Sequence, residues 1–573
     1  MIPVVVILVY LAVIAVIGGI AYRRAKANTE DFFLAGRGVG STVFFLSLFA
    51  TNMTAFAILG SSGQAYRQGI GIYGLMASSS GLVIPLTIFL IGTRLWAIGK
   101  RFGHQTQVAF FRDRWECSGI GTVIFALCAA MLVPYMIISI MGGGTVLAQI
   151  STPAGGTQPL IPYWLGCAIV AVVVTVGVFL GGMRGTVWVN ILQTTLFLLF
   201  GAVAVFVISQ HLPKGFGEYM STLAGDPKTS HLVTRTHEKM SERFFWSYTL
   251  IPLSSIMFPH MAIMCFSARK VTAFKRTVVL YPLAIMMIWL PCVFLGVLGF
   301  ASLGKVGDPD GILLLMLQKY APVWLAGILG AGIISAVMGS DAHQVLALST
   351  MFTKDIYQHY GGSKKFGERG AVLFARVFIV LVTVGAFFVA LELKDKQGIF
   401  EIAVRYAFSG FAAMAPVMIA ALFWKRSTKW GALASTLFVA ANLIGFGALQ
   451  GSPTSPAVKP AIAAQTNAPA LVASVPLVPL AEAATNRTEG TNAPAMAAAG
   501  KPKNVIWQIG KGKDAIQVVS LAPNGDVRFL GFMTVVPMVF GSALCMILFS
   551  LLTRPPSDKT IEKYFPRADG AAN

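Results

Sequence analysis

The sequence predicts an all-α integral membrane protein of about 13 transmembrane helices. Only 12% of its 573 residues are charged and 56% are hydrophobic, whereas roughly a quarter of a soluble domain is charged. Mean hydropathy is +0.72. Apolar runs of the about 20 residues that one helical crossing needs recur along nearly the whole chain, and in lipid only a helix or a closed barrel satisfies its own backbone.

The first run, Ile2–Tyr22, has no basic residue before it and no small-residue cleavage site after it, so it reads as a retained helix. The second, Thr42–Ser62, is rich in small and hydroxyl residues, and the third, Ile72–Trp96, carries Ser78-Ser79-Ser80. Gly121–Gln149 and Pro162–Met183 follow, then Thr186–Ser209 with Asn190 and Gln193. The seventh run, Phe244–Phe266, holds Pro252 and Pro259, and Thr277–Ser302 is the eighth. The ninth, Pro322–Phe352, contains Asp341 and His343; Ala371–Leu393, Ile399–Trp424, Lys429–Gln450 and Leu530–Leu552 complete the series.

The formal charge of +21 is divided among the short loops between these runs, so it reads as a topology signal and not as a nucleic-acid surface. Loops after odd-numbered spans carry Arg23, Arg24, Lys26 and Arg37; Lys100, Arg101, Arg112 and Arg114; Arg269, Lys270, Lys275 and Arg276; Lys354, Lys364, Lys365 and Arg369; and Lys425 and Arg426. Those loops are expected in the cytoplasm, with the N-terminus outside, the C-terminus inside and the chain multi-pass in the cytoplasmic (plasma) membrane. The loop Gln210–Arg243 is itself basic, against that rule. Of six cysteines, five fall inside apolar runs and none has zinc-ligand spacing, so buried inert thiols are expected.

Between the last two spans, Ser452 to about Lys503 is rich in Ala, Pro, Thr and Asn and repeats Thr-Asn-Ala-Pro-Ala at Thr466 and Thr491. Such a composition buries no core and reads as disordered. Val505–Ile509 and Ile516–Leu521 then alternate apolar and polar residues, and Pro523-Asn524-Gly525-Asp526 is a turn signal, so a small external β-hairpin is expected.

Polar or irregular chain at membrane depth is tolerated where it lines a cavity, which makes it the pointer to function. In the second span, Ala50-Thr51-Asn52-Met53-Thr54-Ala55 permits local unwinding, which frees carbonyls as hard ligands for an alkali cation; small residues equally mark tight helix packing. Pro252 and Pro259-His260 are expected to kink or break the seventh span. Interruptions five helices apart fit two inverted repeats with a site between them. His260 reads either as a group touching solute or a proton, or as a hydrogen-bonded structural histidine. In the ninth span, Ala336, Ser340 and His343 share one stripe, and Asp341 and Gln344 a neighbouring one. A carboxylate at that depth costs several kcal/mol without a purpose; the other reading of Asp341 is a salt bridge.

Four stretches resemble the sodium:solute symporter family, which includes bacterial proline, pantothenate and monocarboxylate permeases and the sodium/glucose transporters. They are Asp31-Phe32-Phe33-Leu34-Ala35-Gly36-Arg37 leading into Leu48-Phe49-Ala50-Thr51-Asn52; Gly181-Gly182-Met183-Arg184-Gly185-Thr186-Val187-Trp188 with Gln193; the ninth span through Phe352-Thr353-Lys354-Asp355-Ile356-Tyr357; and Ala415-Pro416 through Phe423-Trp424-Lys425-Arg426 to Trp430-Gly431-Ala432. The resemblance implies a LeuT-like fold of 5+5 inverted repeats, with solute at the breaks of the second and seventh spans. It implies a sodium ion held by the carbonyls of Ala50, Met53 and Ala336 and the hydroxyl of Ser340, with Gly339 where the family usually has a second Ser or Thr. Asn52 stands where proline permeases have aspartate and Asn190 where many members do, so Asp341 is the expected replacement ligand, or a titrating group that makes the coupling ion a proton.

Solute-lining positions on the same reading are Asn52, Thr54, Ser79, Pro259, His260 and Gln344. Phe258-Pro259-His260 followed by Ser267-Ala268-Arg269-Lys270 looks most like the pantothenate and monocarboxylate branch, although that branch often has arginine at the position of Met264. The chain is therefore expected to be a sodium-coupled symporter of a small polar organic solute, an organic anion or an amino acid, working by alternating access. The rival readings are proton coupling, uncoupled transport and a sensor built on the transporter fold; no enzyme chemistry, nucleic-acid partner or obligate protein partner is expected, and lipid is the solvent. Residues 1–41 hold the first helix and its loop, 42–209 the first repeat, 210–243 an external loop, 244–426 the second repeat, 427–450 a further helix, 451–527 the external insert, and 528–573 the last helix and tail.

Overall fold

The computed structural model describes residues 2–24, 28–153, 156, 158–211, 215–227, 229–236, 240–394, 396–449, 505–509, 516–522 and 525–566. Lipid offers no partner to a free backbone group, so the apolar runs become helices that satisfy their own N–H and C=O groups. In chain order these are α1 (Ile2–Arg24), the bent pair α2 (Ser41–Asn52) and α3 (Phe56–Gln68), α4 (Gly71–Phe102), α5 (Ser118–Ser151), α6 (Tyr163–Gln210), the bent pair α7 (Glu242–Met257) and α8 (Pro259–Ser267), α9 (Thr272–Leu303), α10 (Val323–Gln358), α11 (Gly367–Leu393), α12 (Ile399–Phe423), α13 (Lys429–Leu449) and α14 (Val535–Leu552).

Among the described residues, ten helices are long and apolar enough to cross a membrane, and 12 spans result if each bent pair is one. The sequence expectation was 13. The difference lies in α6, whose 48 residues contain both the fifth and the sixth expected spans. At about 1.5 Å per residue that run is more than twice as long as the hydrocarbon core is thick. Gly182 (φ 52°, ψ −147°) breaks its helical geometry. A Cβ there would stand 2.6 Å from the Phe32 carbonyl oxygen, so the break needs both the left-handed φ and the missing side chain.

Over their apolar lengths α12 and α10 are each 78% buried, against 22% for α11 and for α13, and the helix at the centre of the bundle is α10. It packs on α1, α2, α5, α6 and α8, so every functional candidate on it faces protein rather than lipid. The remaining unit, residues 449–531, contains β1 (Val505–Ile509), β2 (Ile516–Leu521) and β3 (Val527–Phe529), paired antiparallel in that order. The expected hairpin is β1 with β2. The turn signal serves instead to join β2 to a third strand, through Gly525 N–H donating to the Ala522 carbonyl at 2.9 Å. The expected disordered stretch 452–503, and Pro523 and Asn524 of the turn, lie outside the described residues.

Candidate functional site

Two helix breaks meet in the middle of the bundle. α2 ends at Met53, which is extended (φ −93°, ψ 103°), and α3 departs at 62° to it. The restart is set by Thr54: its Oγ1 accepts from Phe56 N–H at 3.1 Å, and its carbonyl accepts from Ala57 N–H at 2.9 Å. Ala57 therefore does not bond the Met53 carbonyl, which loses its helical donor and becomes available as a hard oxygen ligand. The second break falls at Phe258–Pro259, between α7 and α8, with a 50° bend. Pro259 has no N–H to lose at the first position of a helix, so it is the residue that can open the new one. Pro252 does not break the chain; it lies in a tightened 3₁₀ stretch, Tyr248–Leu253.

Residues from α5, α9 and α12 join the breaks. Asn52 Nδ2 donates to the Tyr281 hydroxyl at 2.7 Å, and the Tyr135 hydroxyl lies 3.5 Å from the Asn52 carbonyl. The Tyr135 ring stacks on Phe258 (5.2 Å between centroids), which in turn stacks on His260 (4.9 Å). Phe408 meets Tyr135, Phe56 and Phe258 edge-on, and Phe411 does the same to Phe258. Tyr135, Tyr281, Phe408 and Phe411 were not singled out from sequence. Their only signal was a hydroxyl-bearing or bulky ring inside an apolar run, which is also what a plain core residue looks like.

The face of α10 turned to these breaks carries the polar groups. A Cβ on Gly142 of α5 would sit 2.6 Å from Ala55 Cβ and 3.6 Å from Val337, which places the Val337 side of α10 next to the break. Asp341 is one turn further on the same side, and Gln344 follows at i+3. Both are fully buried, and among the described residues neither carboxylate oxygen of Asp341 nor either amide atom of Gln344 has a hydrogen-bond partner. The same holds for both ring nitrogens of His260. The salt-bridge reading of Asp341 thus finds no counter-charge among the described residues. Ser340 Oγ donates to its own helix, to the Val337 carbonyl at 3.1 Å.

Gly339 and His343 belong to a different face. Asn190 Nδ2 of α6 lies 2.9 Å from His343 Nδ1 and 3.4 Å from the Gly339 carbonyl. A Cβ on Gly339 would stand 2.9 Å from Gln193 Oε1 and 3.1 Å from Asn190 Oδ1. The glycine is there because two amide oxygens occupy the space a side chain would take. Ser79 sits in α4 with its hydroxyl bonded back to the Leu75 carbonyl at 3.3 Å. The structure thus brings together Asn52, Met53, Thr54, Pro259 and His260, sets Asp341 and Gln344 opposite the first break, and turns Gly339 towards α6.

Among the described residues no group of three His, Cys, Asp or Glu could hold a metal ion. The oxygens that remain, carbonyl, hydroxyl and carboxylate, are those that suit an alkali cation.

The model of the sodium:solute symporter family matches residues 32–438. The chain is 25% identical over 439 residues to the sodium/pantothenate symporter of Escherichia coli (strain K12), covering 75% of this chain and 87% of that protein. It is 25% identical over 438 residues to the sodium/proline symporter of Staphylococcus aureus (strain USA300), with 74% and 82% covered. An uncharacterized symporter of Bacillus subtilis (strain 168) matches at 25% over 348 residues, 59% of this chain and 68% of that one. Among solved structures, a Na+-coupled sialic acid symporter in a substrate-bound outward-open state superimposes with a TM-score of 0.65 at 17% identity, over 78% of this chain and 92% of that one. That likeness shows the LeuT-like fold.

Proposed function

The chain belongs to the sodium:solute symporter family, and from that premise we propose that it moves a small polar organic solute, an organic anion or an amino acid, by sodium-coupled alternating access. Sodium sits between the first break and α10, on the carbonyls of Ala50, Met53 and Ala336, the Ser340 hydroxyl and the Asp341 carboxylate. Solute lies between the two breaks, beside Asn52, Thr54, His260, Gln344 and the Tyr135 and Phe258 rings. Residues 42–209 and 244–426 are the two inverted repeats, with the N-terminus outside and the C-terminus in the cytoplasm.

The observation that carries this reading is the pair Asp341 and Gln344, without hydrogen-bond partners among the described residues and fully buried beside a helix break that frees a carbonyl. A buried charge with no partner is costly, and a cation at that point removes the cost. Asp341 supplies the negative ligand that Asn52 and Asn190 cannot. Ion and solute are coupled because both stabilise the same arrangement of the bundle. The same lone carboxylate favours one second reading, in which it carries a proton instead.

Uptake of labelled carboxylates, amino acids and sugars into proteoliposomes, under a sodium gradient, a proton gradient or neither, tests the proposal. Sodium-driven accumulation lost in Ser340→Ala and Asp341→Asn supports it. Proton-driven accumulation indifferent to sodium replaces sodium by the second reading, and flux that is only downhill removes coupling altogether.

A further inference from the structure

We infer that Tyr10, on the helix that precedes the family match, is a positioning residue that sets the rotation of α10 and so the affinity of the sodium site; this rests on the sodium reading above. Between Ile2 and Ile20, Tyr10 is the single side chain with a hydrogen-bonding atom. α1 lies outside the residues matched by the family model, 32–438, yet it packs on both α6 and α10. Tyr10 is 7% exposed. Gln193 Nε2 of α6 donates to its hydroxyl at 3.2 Å, and Ser335 Oγ of α10 lies 2.8 Å from it. One phenol therefore ties α1, α6 and α10 at a single point in the apolar layer.

Position along the helices gives that point its leverage. Ser335, Gly339 and His343 are spaced i, i+4, i+8 and form the stripe of α10 turned to α6, where Asn190 bonds His343 at 2.9 Å. Tyr10 with Gln193 and Ser335 anchors one end of that stripe, and Asn190 with His343 anchors the other. Ala336 and Ser340, proposed sodium ligands, follow Ser335 and Gly339 directly in sequence, about 100° further round the helix. Removing one anchor frees α10 to turn about its axis, which carries the Ala336 carbonyl and the Ser340 hydroxyl away from the first break.

The test needs no knowledge of the solute. In the full-length purified protein, thermal stabilisation is titrated with NaCl against KCl at constant ionic strength, for wild type, Tyr10→Phe, Ser335→Ala, the double variant and Leu11→Ala. Tyr10→Phe keeps the ring and loses the hydroxyl. It is expected to raise the half-saturating sodium concentration about fivefold, the factor that one net hydrogen bond gives. Ser335→Ala gives a similar shift, and the double variant no more than either alone, because both break the same tie. Leu11→Ala lowers the melting temperature without moving sodium half-saturation.

A Tyr10→Phe protein with wild-type sodium half-saturation overturns the inference. So does an equal shift in Leu11→Ala, which would make the effect one of general packing. A wild-type protein with no sodium-specific stabilisation overturns the sodium reading itself, and is recognised as such because it appears before any variant is compared.

Discussion

Asn52 Nδ2 donates to the Tyr281 hydroxyl at 2.7 Å, so the last residue of α2 is held from α9, across the break it borders. Both side chains belong to the middle of the bundle, and the Tyr281 ring is fully buried. The bond fixes where the unwound segment leaves the helix. Tyr281→Phe should leave the packing intact and free Asn52, which costs about 1 kcal/mol of stability for the lost bond, with a further loss if the amide stays buried and unpaired. Substrate half-saturation in proteoliposomes should rise more than maximal rate falls. A maximal rate that falls alone would mean that the bond serves the moving step and not the site.

Gly339 offers a sharper test, because the neighbouring oxygens are short of donors. Asn190 Oδ1 and Gln193 Oε1 are both buried and without partners among the described residues, at 3.1 and 2.9 Å from where a Cβ would sit. Gly339→Ala should lower stability by about 1–3 kcal/mol through overpacking. Gly339→Ser adds the same bulk and a hydroxyl that can donate to either oxygen, and should recover about 1 kcal/mol of that loss. Melting temperatures in detergent compare the two directly; a serine variant no more stable than the alanine one would show that the amides do not accept.

Arg114 is buried, and it serves the end of another helix. Its guanidinium donates to the carbonyls of Ala421 at 3.0 Å, Trp424 at 3.0 Å and Lys425 at 3.2 Å, around the C-terminus of α12. Ala421 lies in the last turn, whose carbonyls lack intrahelical donors, and the other two follow directly, at the end where a positive charge is favoured. Arg114→Ala should cost about 3 kcal/mol or more, since hydrogen bonds to a charged group are the stronger kind. Arg114→Lys should recover little, because one ammonium does not reproduce the planar fork. Stability near wild type in the lysine variant, read from thermal melting, would count against a role for the fork.

A pH response is expected at Asp310, in the loop between α9 and α10. Its Oδ2 accepts from Ile399 N–H at 2.9 Å, and its Oδ1 lies 3.5 Å from Arg67 Nη1 at the end of α3; Arg67 also pairs with Glu401 at 3.7 Å. Burial pushes the Asp310 carboxyl up to about 6, with Arg67 partly offsetting the rise. In an arrangement where α3 parts from the loop, the carboxyl is hydrated and returns to its ordinary value near 4. The packed arrangement therefore binds the proton more tightly, and its advantage is complete below about 4 and lost as pH rises through about 6. Acidification from about pH 7.5 to 5.5 should favour the packed arrangement. Spin labels at Gln68→Cys and Lys305→Cys read the distance: the short-distance population should grow on acidification, and Asp310→Asn should abolish the change. A pH-independent distance in the parent protein would remove Asp310 from this role.

The composition and spacing of apolar runs determined that the chain lies in lipid, is helical, and is interrupted in its second and seventh runs, because the bilayer imposes length and hydropathy on each span separately. Proline at 259 and the small residues around Met53 made the two breaks legible for the same local reason. Asp341 was legible as a misplaced charge, but that it finds no partner among the described residues was not, since any lysine or arginine in the chain could have reached it. The two halves of α6 were legible as separate spans, while their junction at Gly182 follows from the closeness of the Phe32 carbonyl. The aromatic rings around Phe258, the amide oxygens over Gly339 and the hydroxyl of Tyr10 between two helices depend on which faces meet. A helical sequence gives the angle of each side chain about its own axis, and only the packing of one helix on the next decides what that side chain touches.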